Sequence, residues 1–114
     1  MLKAETQTLA DKETRALFEA RAGIIKALAH PSRLLIVDRL AAREYCVCEL
    51  TDLVGSDMST VSKHLSVLRN AGIVDSDKRG SQVYYRLTMP CILNFFSCVE
   101  SVLESKADRL KSIT

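Results

Sequence analysis

The chain has 114 residues, 47% hydrophobic and 26% charged, with 16 Lys and Arg against 14 Asp and Glu. That length suits one ordinary domain; the apolar content excludes a disordered chain, and four Gly with two Pro exclude a collagen-like or low-complexity one. Aromatics make up 5%, so a core must be built from Leu, Ile, Val and Ala, and so small a core gains from apolar surface shared with a second copy.

The opening stretch, MLKAETQTLADKETR, is polar and mixed in charge, without the apolar centre of a signal peptide. No apolar run approaches the about 18–20 residues that span a bilayer. A cytoplasmic location away from membranes is therefore expected, where thiols stay reduced. Cys46, Cys48, Cys91 and Cys98 then read as ligands, sensors or buried small residues rather than as a disulfide framework.

Residues 12–28 alternate charged and apolar groups at helical spacing, with Leu17, Ile24, Ile25 and Leu28 pointing inward. Pro31 disfavours helix at His30 and suits the first turn of a second helix, expected from about Ser32 to Arg43 with Leu34, Leu35, Val37 and Leu40 buried. A short third helix follows Cys46 and carries Val47, Leu50, Leu53 and Val54. Gly55 is its expected stop, and Asp57 the N-cap of a fourth helix over Met58 to Asn70. Val61, Leu65 and Leu68 lie on one face of that helix, and Ala71-Gly72 closes it.

The period then changes. Ile73-Val74 leads through a polar cluster with a turn at Lys78-Arg79-Gly80-Ser81 into Val83, Tyr85 and Leu87, which alternate with Tyr84 and Arg86. The two segments form an antiparallel hairpin. Pro90 opens a last helix with an apolar stripe of Ile92, Phe95, Phe96, Val99, Val102 and Leu103. The expected fold is thus mainly α with a small β-hairpin wing: a dimeric winged helix-turn-helix of about five helices and two antiparallel strands, residues 1–114 forming one domain.

Charge placement supports a DNA-binding reading. Residues 61–90 hold five Lys and Arg against two Asp, whereas residues 31–60 hold three basic and five acidic side chains. A near-neutral total therefore conceals a basic stretch where DNA would dock. Ser59, Thr60, Ser62, Lys63 and His64 on the fourth helix can bond phosphates or base edges, while Lys78, Arg79 and Gln82 on the wing would track phosphates. An ordinary solvated helix face with a basic turn is the competing reading.

The segments ALAHPSRLLIVDRL, YCVCEL, STVSKHLSVLRNAGIV and GSQVYYRL, in that order over roughly residues 24–88, resemble the ArsR/SmtB family of metal- and metalloid-responsive repressors. The resemblance implies a winged-helix homodimer joined through its first and last helices. It also implies repression at a palindromic double-stranded operator, relieved by an inducer. Met58 stands where relatives often carry Gln, so the operator sequence of relatives does not transfer to this chain.

Cys46-Val47-Cys48 lies at the entry to the helix-turn-helix. Thiolates are soft ligands suited to thiophilic ions, and a helix N-terminus favours the anionic form. Residues i and i+2 of a regular helix face apart by about 200°, so one ion can hold both sulfurs only where the helix start is irregular. EYCVCEL resembles the arsenic-sensing motif of the family, implying As(III) or Sb(III) as inducer at Cys46 and Cys48, with no organic cofactor. The family's third Cys is replaced by Thr51, residues 1–45 hold no Cys and residues 90–114 no His. Cys91 and Cys98, one helical repeat apart, pack in the dimer interface, supply a third ligand or take part in redox chemistry. Burial as a small apolar residue is the competing reading for the first pair. The alternative function keeps the scaffold and makes the signal a persulfide, an oxidant or a small organic molecule. No glycine-rich phosphate loop or catalytic motif points to an enzyme.

Overall fold

The computed structural model describes residues 7–113. Helices α1 (Lys12–Leu28) and α2 (Pro31–Leu40) precede a two-residue strand β1 (Tyr45–Cys46); α3 (Val47–Val54) and α4 (Met58–Asn70) follow. Strands β2 (Val74–Arg79) and β3 (Gln82–Leu87) then lead into α5 (Ile92–Ile113).

The helix boundaries have identifiable chemical causes. His30 is extended, and its Nδ1 accepts the Ser32 N–H at 3.1 Å, capping α2 ahead of Pro31 at the first turn. α2 ends at Leu40 rather than at Arg43, because Ala42 already bonds back to Arg39 in a tighter turn. Gly55 closes α3 in the left-handed conformation, φ 75°, which its missing Cβ permits. Asp57 Oδ1 accepts the Thr60 N–H at 2.8 Å and starts α4. At the far end of α4 the Ile73 N–H returns to Leu68 O and the Gly72 N–H to Arg69 O, a Schellman closure.

The sheet has three strands in the order β1-β3-β2, so the expected two-stranded wing gains a third member. Tyr45 pairs with Tyr85 and Cys46 with Tyr84, both antiparallel. β2 and β3 pair from Val74–Leu87 to Arg79–Gln82, leaving Gly80-Ser81 as a two-residue turn with Gly80 at φ 64°.

One core joins these elements: Ala27 and Leu28 of α1, Ile36, Val37 and Leu40 of α2, Leu50 of α3, and Val61, Leu65 and Leu68 of α4. Ile73, Val74, Tyr85 and Ile92 complete it. Leu34, expected inside, is exposed, whereas Ile36 is buried in its place. The reason lies on the neighbouring surface: Leu34, Ile25, Phe95, Phe96, Val99 and Leu103 line an apolar groove of about 580 Å³ between α1, α2 and α5. Phe95 and Val99 are about half exposed, at 47% and 42%. The α5 stripe is thus apolar by sequence, yet largely uncovered by this chain.

Candidate nucleic-acid interface and cysteine site

α3, the turn around Gly55 and α4 form the helix-turn-helix, with α4 anchored from beneath by Val61, Leu65 and Leu68. At about 100° per residue, the opposite side of α4 carries Ser59 and Lys63, with Ser62 on its flank, all exposed. Ser66 and Asn70 extend this polar strip, and both are exposed. Sequence reasoning passed over these two, although the same 3.6-residue wheel places them there.

Thr60 is half-buried, and its backbone N–H is used by the Asp57 cap. His64 does not lie on the exposed strip. It packs against His30, with ring centroids 4.3 Å apart and planes tilted by 47°. Desolvation lowers the His64 pKa first, and the nearby His30 and Arg33 lower it further. The contact with His30 thus links the N-cap of α2 to α4.

On the wing, Lys78 and Gln82 are exposed. Arg79 is also exposed, yet engaged: its Nη2 lies 2.6 Å from Glu44 Oε2 and its Nε 3.1 Å from Asp77 Oδ2. Its guanidinium also stands 4.7 Å from the Tyr84 ring centroid. Arg86 is paired with Asp75 across the strands at 2.8 Å. The two wing aspartates are therefore partly neutralised by their own hairpin.

Cys46 is buried and Cys48 exposed; both are free thiols, as are the exposed Cys91 and Cys98. Cys46 stands outside the helix as the N-cap of α3, extended at φ −82° and ψ 163°. Its side chain and the Glu49 N–H, together with the Glu49 carboxylate and the Cys46 N–H (3.0 Å), form a reciprocal capping box. Thr51, in the position of the missing third Cys, donates its hydroxyl to Val47 O at 2.8 Å. Among the described residues, no group of three or more His, Cys, Asp or Glu is placed to hold a metal ion.

Glu49 is held ionised. Arg43 lies 2.9 Å from its carboxylate and is the largest cause, followed by the backbone N–H and the side chain of Cys46; together they lower its pKa from 4.5 to about 2. Arg43 is itself stacked 3.7 Å from the Tyr45 ring centroid. A carboxylate with a depressed folded pKa adds stability above its unfolded value, and that stability is lost as pH falls through the folded one. Urea unfolding midpoints should therefore drop between pH 4.5 and about 2, and drop less in Glu49→Gln, which keeps the cap but cannot titrate.

Comparison with known proteins accords with this architecture. Residues 30–76 match the family model described as bacterial regulatory protein, arsR family. The chain is 41% identical over 81 residues to the biofilm growth-associated repressor of Xylella fastidiosa (strain Temecula1 / ATCC 700964), covering 71% of this chain and 69% of that one. The crystal structure of NolR from Sinorhizobium fredii superposes with a TM-score of 0.75 at 31% identity, covering 85% of this chain and 96% of that one. The solution structure of the homodimeric winged helix-turn-helix DNA-binding domain Mb0332 from Mycobacterium bovis gives 0.74 at 28% identity, covering 92% and 94%. Among the described residues no helix is long and apolar enough to cross a membrane. A helix-turn-helix with a polar outward strip, a three-stranded wing and these relatives together place the chain in the ArsR family of DNA-binding transcriptional repressors.

Proposed function

We propose that the chain acts as a homodimer that occupies a palindromic operator and releases it when As(III) or Sb(III) binds Cys46 and Cys48. The observation that carries this reading is the Cys46 side chain in the capping box of α3, the first helix of the reading motif, two residues from an exposed Cys48. The pair suits a thiophilic inducer, because soft thiolates favour such centres over Mg or Ca. With two protein sulfurs, an external thiol or hydroxide completes a three-ligand set.

The geometry also supplies differential affinity. As N-cap, Cys46 serves the Glu49 N–H; as ligand beside Cys48, it must give up that role and reorient. Reorienting Cys46 disturbs the first turn of α3, and α3 packs directly on α4. An inducer that binds only the uncapped form thus weakens the platform beneath the reading helix, which is the condition for allosteric release. The decisive experiment is a DNA-release titration with arsenite, antimonite, cadmium and zinc on the parent, Cys48→Ser and Cys91→Ser. Release by arsenite that survives Cys48→Ser overturns the site.

The dimer reading rests on the uncovered apolar faces of α1 and α5 and on the homodimeric relative. Two reading helices related by a two-fold axis call for half-sites about 10–11 bp apart or a multiple of that. Ser59, Ser62 and Lys63 are assigned to the groove, with Lys78 and Gln82 on the flanking backbone; Thr60 contributes through the α4 N-terminus. Lys63→Ala should weaken binding to all sequences alike and reduce the slope of log affinity against log salt by about 1 per subunit. A fluorescence-anisotropy salt series measures both. Three exposed thiols, Cys48, Cys91 and Cys98, favour one second reading, in which a persulfide or oxidant is the signal. Mass spectrometry after polysulfide treatment separates the two: an unmodified protein with unchanged DNA affinity eliminates redox sensing.

A further inference from the structure

Arg79 stands at the end of β2, where a wing side chain reaches for a phosphate, but its guanidinium is already occupied. Asp77 is a neighbour on the same strand and holds Nε at 3.1 Å. Glu44 arrives from a distant part of the chain, immediately before β1, and holds Nη2 at 2.6 Å. Among the described residues the adjacent Lys78 has no ion pair, so of the two basic side chains at the wing tip one is free and one is latched.

We infer that Glu44 is a built-in competitor for operator phosphate, a positioning residue that withholds Arg79 from DNA and so sets the wing's share of the affinity. Carboxylate and phosphate present the same kind of oxygen pair to a guanidinium, and an Arg fork cannot satisfy both fully. Glu44 and Arg79 are 39% and 47% exposed, so the pair is accessible to an approaching duplex. Exposed ion pairs are weak, which makes this one displaceable at a modest penalty rather than a permanent lock. The placement has a second effect: Glu44 precedes β1, whose Tyr45 and Cys46 pair with β3, so the latch joins the base of the sheet to the tip of the wing.

The inference rests on DNA binding alone and stands whichever inducer is used, so arsenite is left out of its test. Operator affinity at low salt is measured for the parent, Glu44→Gln, Arg79→Gln and the double variant, using a duplex from the region upstream of the protein's own gene. Glu44→Gln keeps the size of an exposed side chain and leaves Asp77 in place. It should tighten binding about two- to fivefold, the range open to an exposed pair. That gain should vanish in the Arg79→Gln background, since removing a negative charge near DNA would otherwise help in either background. Binding by Glu44→Gln no tighter than the parent, or an equal gain with and without Arg79, would overturn the assignment. Parent binding to the same duplex checks the repressor reading separately.

Discussion

Cys46→Ser is expected to abolish release by arsenite while operator affinity stays within about threefold of the parent, well under the tenfold that 1.4 kcal/mol represents. The asymmetry follows from the double role of the side chain. As a cap for α3, Ser is at least the equal of Cys, because Ser is among the preferred N-cap residues. As a ligand for a thiophilic centre it is far poorer, since hydroxyl oxygen is hard and thiolate sulfur soft. Competition anisotropy with and without arsenite checks both halves. A Cys46→Ser protein that still releases DNA on arsenite addition removes Cys46 from the inducer site. A variant that loses DNA binding in the absence of arsenite would instead show that the thiol is structural.

Leu65→Ala should produce the largest loss of stability among the substitutions considered, about 2–5 kcal/mol for a fully buried Leu. Leu65 is 0% exposed and lies midway along α4, between Val61 and Leu68, so the void would open directly beneath the reading helix. Against a typical total of about 5–15 kcal/mol, such a loss removes a large share of the folding stability. Urea unfolding followed by circular dichroism provides the measurement, and an unchanged midpoint would contradict the packing described. DNA affinity should fall with the folded fraction. In Lys63→Ala, by contrast, affinity falls while the midpoint stays within about 0.5 kcal/mol of the parent, as for an ordinary surface change.

Much of the helix-turn-helix was legible in the residues themselves. Asp57, the Val61, Leu65 and Leu68 spacing and Ala71-Gly72 each carry a local signal, and each performs that local task in the structure. The failures have a common physical form, because they concern partners that no period connects. His64 reads as a polar residue on a polar helix until His30, the N-cap of α2, packs against it. Arg79 reads as a free cation until Glu44 is brought beside it by β1. β1 itself has two residues, too few for an alternating pattern to register. Leu34 failed differently: hydrophobicity marks a side chain that avoids water, and it does not say whether the covering surface belongs to the same chain. Cys46 and Cys48 lie at the start of α3, as their spacing suggests, but no sequence period announces that Cys46 is also paired with Tyr84 and buried while Cys48 is exposed.

The Cys46–Tyr84 register carries a practical lesson for anyone recasting such a protein as a biosensor. Exchange of Ser81 at the hairpin tip leaves the strands in register, whereas Gly80 is held at φ 64° and resists any side chain, and exchange of Tyr84 or Tyr85 would disturb the strand that pairs with Cys46 and Tyr45. Changes at the root of the hairpin therefore reach the start of α3 through β1, while changes at Ser81 stay local to the turn. Modular redesign should cut the hairpin above Val83.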